Sequence, residues 1–226
     1  MNIKANPMIE LTKQIISVRS KVVVKPRKKI KVGLVELSFG SSDAPCYLPL
    51  SAGMLQAYAQ KHLTYASDYE FALPIYKPMR IEEASEMLSD CDLVGFSSRI
   101  WNEQNSLAIA KDYKRRKPEG IVVFGGPQVP DSKKQFRRNR TVELNPDELK
   151  RKRIHFTENF HHTHPFIDLA CHGEGERIFK IILEQMAIDN CRDKSKIPQV
   201  SFLDGDDKFH FNIKLERMTD EDMTQV

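Results

Sequence analysis

The chain has 226 residues, of which 40% are hydrophobic and 29% charged, and a net formal charge of +4. This length fits one domain with extensions, and the ordinary composition excludes neither an enzyme nor a binding module. The four cysteines lie far apart, so their spacing predicts no zinc ribbon and no iron–sulfur cluster. Without a signal-type N-terminus or a run of roughly 18 apolar residues, we expect a cytoplasmic protein with free thiols.

Short apolar runs and amphipathic segments alternate along the chain. The runs predict strands at residues 30–39, 69–76, 92–98, 120–127 and 168–176. The amphipathic segments predict helices at 48–62, 81–90, 102–117 and 176–187. Strict alternation of strands and helices implies right-handed crossovers and a parallel sheet covered on both faces.

Apolar spacing also predicts which helix residues face the sheet. These residues are Leu50, Met54, Leu55, Tyr58, Ile81, Ala84, Met87, Leu88, Leu107, Ala108, Ala110, Tyr113, Ile178, Phe179, Ile182, Leu183 and Met186. Further along, residues 200–214 predict a β-hairpin whose turn lies at 204–207, where Gly205 supplies a permissive backbone.

In open parallel sheets, ligands bind just beyond the carboxyl ends of the strands. Here those positions carry small and polar residues, which let a large planar ligand approach the backbone and expose N–H donors. The candidate binding residues are Ser97, Ser98, Arg99, Ile100, Trp101, Gly125, Gly126, Pro127, Gln128, His172, Gly173, Glu174, Gly175 and Glu176.

Each candidate also has a purely structural interpretation. The two glycines after the fourth strand can contact a ligand or simply form the turn to the next helix. Ser97 and Ser98 can bind ligand amides or cap a helix, for which Asn102 competes. Trp101 can cover a ligand or act as a core aromatic, and Glu176 can accept hydrogen bonds from a ligand or complement the helix dipole.

Four blocks carry a family resemblance: LPLSAGMLQAYAQ, DLVGFSSRIWN, VVFGGPQVP and HPFIDLACHGEGE, in this order within residues 48–183. Together they resemble the cobalamin-binding N-terminal domain of radical S-adenosylmethionine (SAM) proteins. The resemblance implies a flavodoxin-like, Rossmann-like doubly wound α/β fold. Its parallel sheet would have five strands in the order 2-1-3-4-5, with the small C-terminal hairpin beside it.

The chain departs from the family pattern in three ways. It has no DxHxxG motif, so cobalamin is expected without a histidine ligand, and Arg99, Ile100 and Trp101 are candidates to fill the lower face of the cofactor. A basic stretch around residues 141–163 is additional to the family's usual short helix. The radical domain, with its CxxxCxxC loop, would begin soon after the LERMTDEDM segment, where the sequence stops.

The resemblance implies a cobalamin-binding module of a radical SAM enzyme, with a methyltransferase as the expected parent. SAM and a 4Fe–4S cluster are expected only in the radical domain, supplied in cis or by a separate chain. The substrate would be a peptide or a small metabolite; neither a membrane nor nucleic acid is an expected partner. The alternative is a flavodoxin-like scaffold that has lost cobalamin and docks a substrate or partner. A nucleotide-binding protein is disfavoured because no GxGxxG follows the first strand.

The expected organisation is an N-terminal extension (1–29) with a short helix at 8–18, an α/β domain (30–190) with a charged insertion at about 140–163, and a hairpin and linker (191–226). The insertion carries His155, His161 and His162, and His164 follows it. These histidines lack the spacing of a zinc finger, so we interpret them as solvated loop residues rather than metal ligands.

Overall fold

The computed structural model describes residues 28–39, 47–130 and 157–212. The strands are β1 (Ile30–Val35), β2 (Tyr69–Phe71), β3 (Leu93–Ser97), β4 (Ile121–Gly125), β5 (Leu169–Cys171), β6 (Val200–Leu203) and β7 (Phe209–Phe211). The helices are α1 (Leu50–His62), α2 (Ile81–Met87), α3 (Glu103–Arg116), α4 (residues 157–163) and α5 (Gly175–Asp189). Short 3-10 turns occur at Ala66–Asp68 and Lys194–Lys196.

The fold is α/β, and all seven described strands form one mixed sheet in the order β2-β1-β3-β4-β5-β6-β7. The first five are parallel, while β6 runs antiparallel to β5 and β7 antiparallel to β6. The prediction of a five-stranded sheet was therefore wrong in extent: the order 2-1-3-4-5 holds among the parallel strands, but the hairpin continues the sheet. It covers the edge of β5 that a five-stranded sheet would leave unpaired.

The central strands are buried on both faces, as parallel strands between two helical layers must be. Val32, Leu34 and Leu93 pack on one side together with residues of α1 and α5. On the other side, Val94 and Phe124 pack with residues of α2 and α3. Because side chains alternate along a strand, β1, β3, β4 and β5 each contribute to both cores.

The helix-face predictions are confirmed for α5, where Ile178, Phe179, Ile182, Leu183 and Met186 are all buried. Three predictions elsewhere were wrong. Leu50 is 71% exposed and Met87 53% exposed, because each lies in a terminal turn where the helix leaves the sheet. In α3, Ile109 is buried in place of the exposed Ala108.

Two strand predictions also needed correction. The predicted strand 69–76 is regular only over Tyr69–Phe71, because Pro74 has no N–H to donate; the pairing resumes as a single bridge between Val35 and Ile75. In the hairpin turn, the left-handed residue is Asp207, with φ +57°, and not Gly205.

Several sequence predictions fall outside the described residues: the helix at 8–18, most of the basic insertion, His155 and the linker at 216–226. None of the helices in the described ranges combines the length and apolar character needed to cross a bilayer. A cytoplasmic location stays a prediction.

Candidate functional site

A cleft of about 310 Å³ opens at the carboxyl ends of β3, β4 and β5, between α1 and α5. This volume is at the lower end of the range for small-molecule sites, roughly 300–1,000 Å³. The lining residues are Ser51, Leu55, Gly95, Phe96, Ser97, Arg99, Val123, Gly125, Gly126, Pro127, Cys171, Gly173, Glu174, Gly175, Glu176 and Phe179. Five of these residues are glycines, so backbone forms much of the wall.

Gly126 shapes the turn after β4. Its φ is +102°, and a Cβ there would lie 2.6 Å from the carbonyl oxygen of Ser98. Two hydrogen bonds hold the adjacent loops together: Ser98 N–H donates to the Gly125 carbonyl (2.7 Å), and Gln128 N–H donates to the Ser98 carbonyl (3.2 Å). The turn interpretation of Gly126 is therefore correct, because a side chain there would collide with the Ser98 backbone.

A charged network holds Arg99 at the cleft. Glu36, 8% exposed, follows β1, and its carboxylate accepts hydrogen bonds from the Ser51 hydroxyl (3.0 Å) and the Ala52 N–H (2.9 Å) at the start of α1. Arg99 donates from Nη2 to Ser51 Oγ (2.8 Å), and the same nitrogen lies 3.5 Å from Glu36 Oε1. The guanidinium is thus fixed by α1 and β1, although Arg99 itself follows β3.

Asn102 ties the same loops together from beneath. Its buried amide donates to the carbonyls of Leu37 and Ser97, both at 3.1 Å, and its Oδ1 accepts from the Arg99 N–H (2.7 Å). Trp101 also donates to the Leu37 carbonyl (3.3 Å), and its ring lies 5.7 Å from the Arg99 guanidinium carbon. Asn102 is the N-cap residue of α3, but its side chain fixes the loop between β3 and α3 and does not cap the helix.

The loop after β5 forms the third wall. Gly173 adopts a φ of +101°, and Glu174 is the N-cap residue of α5 without a side-chain capping bond. Gly175 packs against Leu55 of α1, since a Cβ at this glycine would lie 3.2 Å from Leu55 Cδ2. The first turn of α5 therefore faces the cleft with backbone and with Glu176.

The structure brings together nine of the fourteen predicted binding residues in the cleft wall: Ser97, Arg99, Gly125, Gly126, Pro127, Gly173, Glu174, Gly175 and Glu176. The other five lie elsewhere. Ile100 and Trp101 are exposed beside the cleft, at 64% and 47%. Ser98 is buried, Gln128 contributes its backbone to the turn, and the ring of His172 is buried beneath the loop.

Sequence reasoning missed the residues that α1 and the strands themselves contribute. Ser51, Leu55 and Phe179 line the cleft from the helices, while Gly95 lies within β3. Gly95 carried a usable signal, because a glycine inside a buried strand often marks a close approach of another group.

The histidines after the insertion are not all solvated, so that interpretation was wrong for His161. This residue is fully buried in α4, and its Nε2 lies 2.9 Å from Ser201 Oγ. Burial, the nearby His172 and Lys194 lower the pKa of His161 to about 4. His162, the next residue of the helix, is exposed. Within the described ranges, no cluster of three or more His, Cys, Asp or Glu residues could hold a metal ion.

Cys171 lies in the cleft wall, where burial raises the pKa of its thiol to about 12, so the thiol stays protonated at neutral pH. Apolar walls with polar groups at the mouth fit a ligand with a flat apolar part and a polar periphery.

Two curated proteins match most of the chain. TokK, a cobalamin-dependent radical SAM methyltransferase of Streptomyces tokunonensis, is 31% identical over 175 residues, which cover 77% of this chain and 21% of TokK. The second, the 2-(S-pantetheinyl)-carbapenam-3-carboxylate methyltransferase of Streptantibioticus cattleyicolor, is 30% identical over 163 residues, covering 72% of this chain and 20% of that enzyme. The chain therefore spans about a fifth of the length of the curated methyltransferases it matches.

The fold is also similar to a solved enzyme. The cobalamin-dependent SAM radical enzyme OxsB, with aqua-cobalamin and SAM bound, superposes with a TM-score of 0.57 at 17% sequence identity, covering 84% of this chain and 23% of OxsB. OxsB with aqua-cobalamin alone gives a TM-score of 0.54. No protein-family model matches the chain.

Proposed function

We propose that this chain is the cobalamin-binding module of a radical SAM methyltransferase, and that the cleft at the carboxyl edge holds part of the cofactor. The observation that carries this proposal is the glycine-walled cleft of about 310 Å³ in a chain whose homologues are cobalamin-dependent. Backbone walls let a bulky ligand approach closely, which larger side chains would prevent.

The cleft residues fit one part of cobalamin, which has a flat macrocycle with amide side chains and a nucleotide tail ending in a flat aromatic base. Leu55, Val123 and Phe179 provide apolar walls for that base. Ser97 and Glu174 provide polar groups for amides or ribose hydroxyls. Because cobalamin is much larger than the cleft, most of the molecule would lie outside it.

When bound, cobalamin supplies the methyl-transfer chemistry, and the chain contributes binding and orientation. No histidine lines the described cleft wall. Arg99, held by Glu36 and Ser51, and the neighbouring Trp101 are the side chains we propose beside the lower face of the cofactor.

The proposal extends to the parent protein. A radical domain in cis would supply SAM and a 4Fe–4S cluster, and the reaction would be methyl transfer to a peptide or small metabolite. The relatives support this assignment because they are about five times as long as the matched segment. The division into an extension (1–29), a cobalamin-binding domain (30–190) and a hairpin with linker (191–226) is part of the same proposal.

Spectroscopy of a reconstituted sample tests the proposal. The purified chain is mixed with hydroxocobalamin, free ligand is removed by gel filtration, and the visible spectrum of the protein peak is recorded. We expect a retained corrin spectrum of the base-off type, since the cleft would bind the nucleotide tail away from cobalt. A colourless protein peak, both here and with the full-length gene product, would contradict the proposal and favour the scaffold alternative.

A further inference from the structure

The loop from His172 to Gly175 forms one wall of the cleft, yet the parallel sheet alone does not hold it. Strand β5 pairs with β4 at two positions, Leu169 and Ala170, and ends at Cys171. Beyond that point the loop turns through Gly173, whose φ is +101°. Its position must therefore be set by contacts from another element.

That element is β6, through the residue that precedes it. Gln199 binds His172 twice: the His172 N–H donates to the Gln199 carbonyl (2.9 Å), and Gln199 Nε2 donates to the His172 carbonyl (2.6 Å). The same side-chain nitrogen lies 2.7 Å from where a Cβ of Gly173 would be. The Gln199 amide thus occupies the space beside the loop that Gly173 leaves free.

Gln199 makes these contacts from an unfavourable backbone conformation. Its φ is +56°, in the left-handed region that glycine and asparagine adopt more readily than glutamine. A residue held in this region is a reason to look for a role of its side chain. The double contact with His172 supplies one.

A second contact fixes the loop from beneath. The buried Ser201 hydroxyl in β6 lies 2.8 Å from His172 Nε2 and 2.9 Å from His161 Nε2 of α4. The ring of His172 also packs on Phe211 of β7, with the ring centroids 4.8 Å apart. The backbone of His172 is therefore held by Gln199 and its ring by the hairpin.

From these contacts we infer that Gln199 is a positioning residue for the cleft: its amide holds the His172–Gly175 loop in the conformation that binds the cofactor. The inference rests on the proposed cobalamin-binding function. It assigns the antiparallel hairpin a role in ligand binding, in addition to completing the sheet.

The test compares Gln199→Gly with Asp207→Gly in the full chain. Gln199→Gly removes the amide but relieves the left-handed strain, so we expect an unchanged or higher Tm and at least a tenfold higher Kd for hydroxocobalamin. Asp207 has nearly the same φ, +57°, in the hairpin turn away from the cleft. Asp207→Gly should therefore leave the Kd unchanged.

A second variant guards against loss of folding. Gln199→Glu keeps the length of the side chain but turns a carboxylate oxygen toward the His172 carbonyl, so it should also raise the Kd at least tenfold. Wild-type affinity in both Gln199 variants would overturn the inference while the proposed function stands.

Amide hydrogen exchange separates the inference from the proposed function. Without cofactor, residues 172–176 should exchange faster in Gln199→Gly than in Asp207→Gly. If neither the wild-type chain nor the full-length gene product binds hydroxocobalamin, the proposed function fails, and exchange alone decides whether Gln199 holds the loop. Equal exchange in the two variants would overturn the inference.

Discussion

The sheet is built differently where its parallel strands begin, here called the amino edge, and where they end, the carboxyl edge. At the amino edge, carboxylates close the strand starts: Asp168 accepts hydrogen bonds from Val122 N–H (2.8 Å) and Lys114 Nζ (2.7 Å). Asp92 forms the corresponding ion pair with Lys117 (3.0 Å). At the carboxyl edge, the side-chain amides of Asn102 and Gln199 tie the loops in place around a cleft walled largely by glycines. The amino edge is thus braced by ion pairs around a smaller cavity of about 220 Å³ beside Asp92 and Lys117, while the carboxyl edge carries the larger, glycine-walled cleft.

The largest expected effect comes from placing a bulky side chain in the turn at Gly126, at the carboxyl edge. Gly126→Val places a β-branched side chain at a φ of +102°, with its Cβ 2.6 Å from the Ser98 carbonyl oxygen. We expect a loss of about 4 kcal/mol in the free energy of unfolding, which is the upper range for single substitutions. Chemical denaturation measures it. Gly53→Ala is the matched control, because nothing lies within 4 Å of a Cβ at this helical position; it should gain about 1 kcal/mol. A loss in Gly126→Val no larger than about 1 kcal/mol would show that the turn adapts.

Acid should lower the free energy of unfolding through His161, which supports the carboxyl edge from beneath. The buried His161 has a folded-state pKa of about 4, below its ordinary value of 6.5. The unfolded chain therefore binds the proton more tightly, and the stabilisation is complete above pH 6.5 and is lost as the pH falls toward 4. A shift of this size corresponds to about 3 kcal/mol.

Denaturation at a series of pH values tests the role of His161. His161→Gln should flatten the fall in unfolding free energy between pH 6.5 and 4, whereas the exposed His162→Gln should not. Asp90 at the amino edge should not contribute in this window, because the hydrogen bond from Lys31 holds the pKa of its carboxyl below its ordinary value. The same slope in both histidine variants would assign the acid sensitivity to other groups.

A smaller effect is expected at the amino edge. Asp168→Asn removes the charge that pairs with Lys114, while the amide oxygen can still accept from Val122 N–H. Because the two charged side chains are only 18% and 21% exposed, we expect a loss of about 2 kcal/mol in the free energy of unfolding. The Kd for hydroxocobalamin should stay unchanged, since this edge lies at the opposite end of the strands. A higher Kd, measured where the variant is fully folded, would contradict the distinction between the two edges.

The sequence predicted the parallel α/β core because the strands are continuously apolar and α5 has a clear helical period. Its predictions failed where tertiary contacts decide the outcome. Nothing local in residues 200–211 indicates that the hairpin pairs with β5 rather than standing beside the sheet. Likewise, the polar surroundings of His161 suggested solvent, although Thr157 and His161 are four residues apart and share a buried helix face.

The candidate site was predicted in part for a similar reason. Residues just beyond the strand ends, such as Gly125 and Gly175, follow from the general position of ligands in parallel sheets. Glu36 and Ser51 were missed because their importance depends on the approach of α1 to the loop that carries Arg99. That approach is a property of the packed structure and not of any local pattern.

Amide hydrogen exchange with and without hydroxocobalamin tests most directly whether the carboxyl edge binds the cofactor. The account predicts slower exchange on binding at residues 97–103, 125–129 and 172–176, and no change at residues 90–92 and 117–121. Protection at the amino edge, or uniform protection along the chain, would contradict the assignment of the cleft as the cobalamin site.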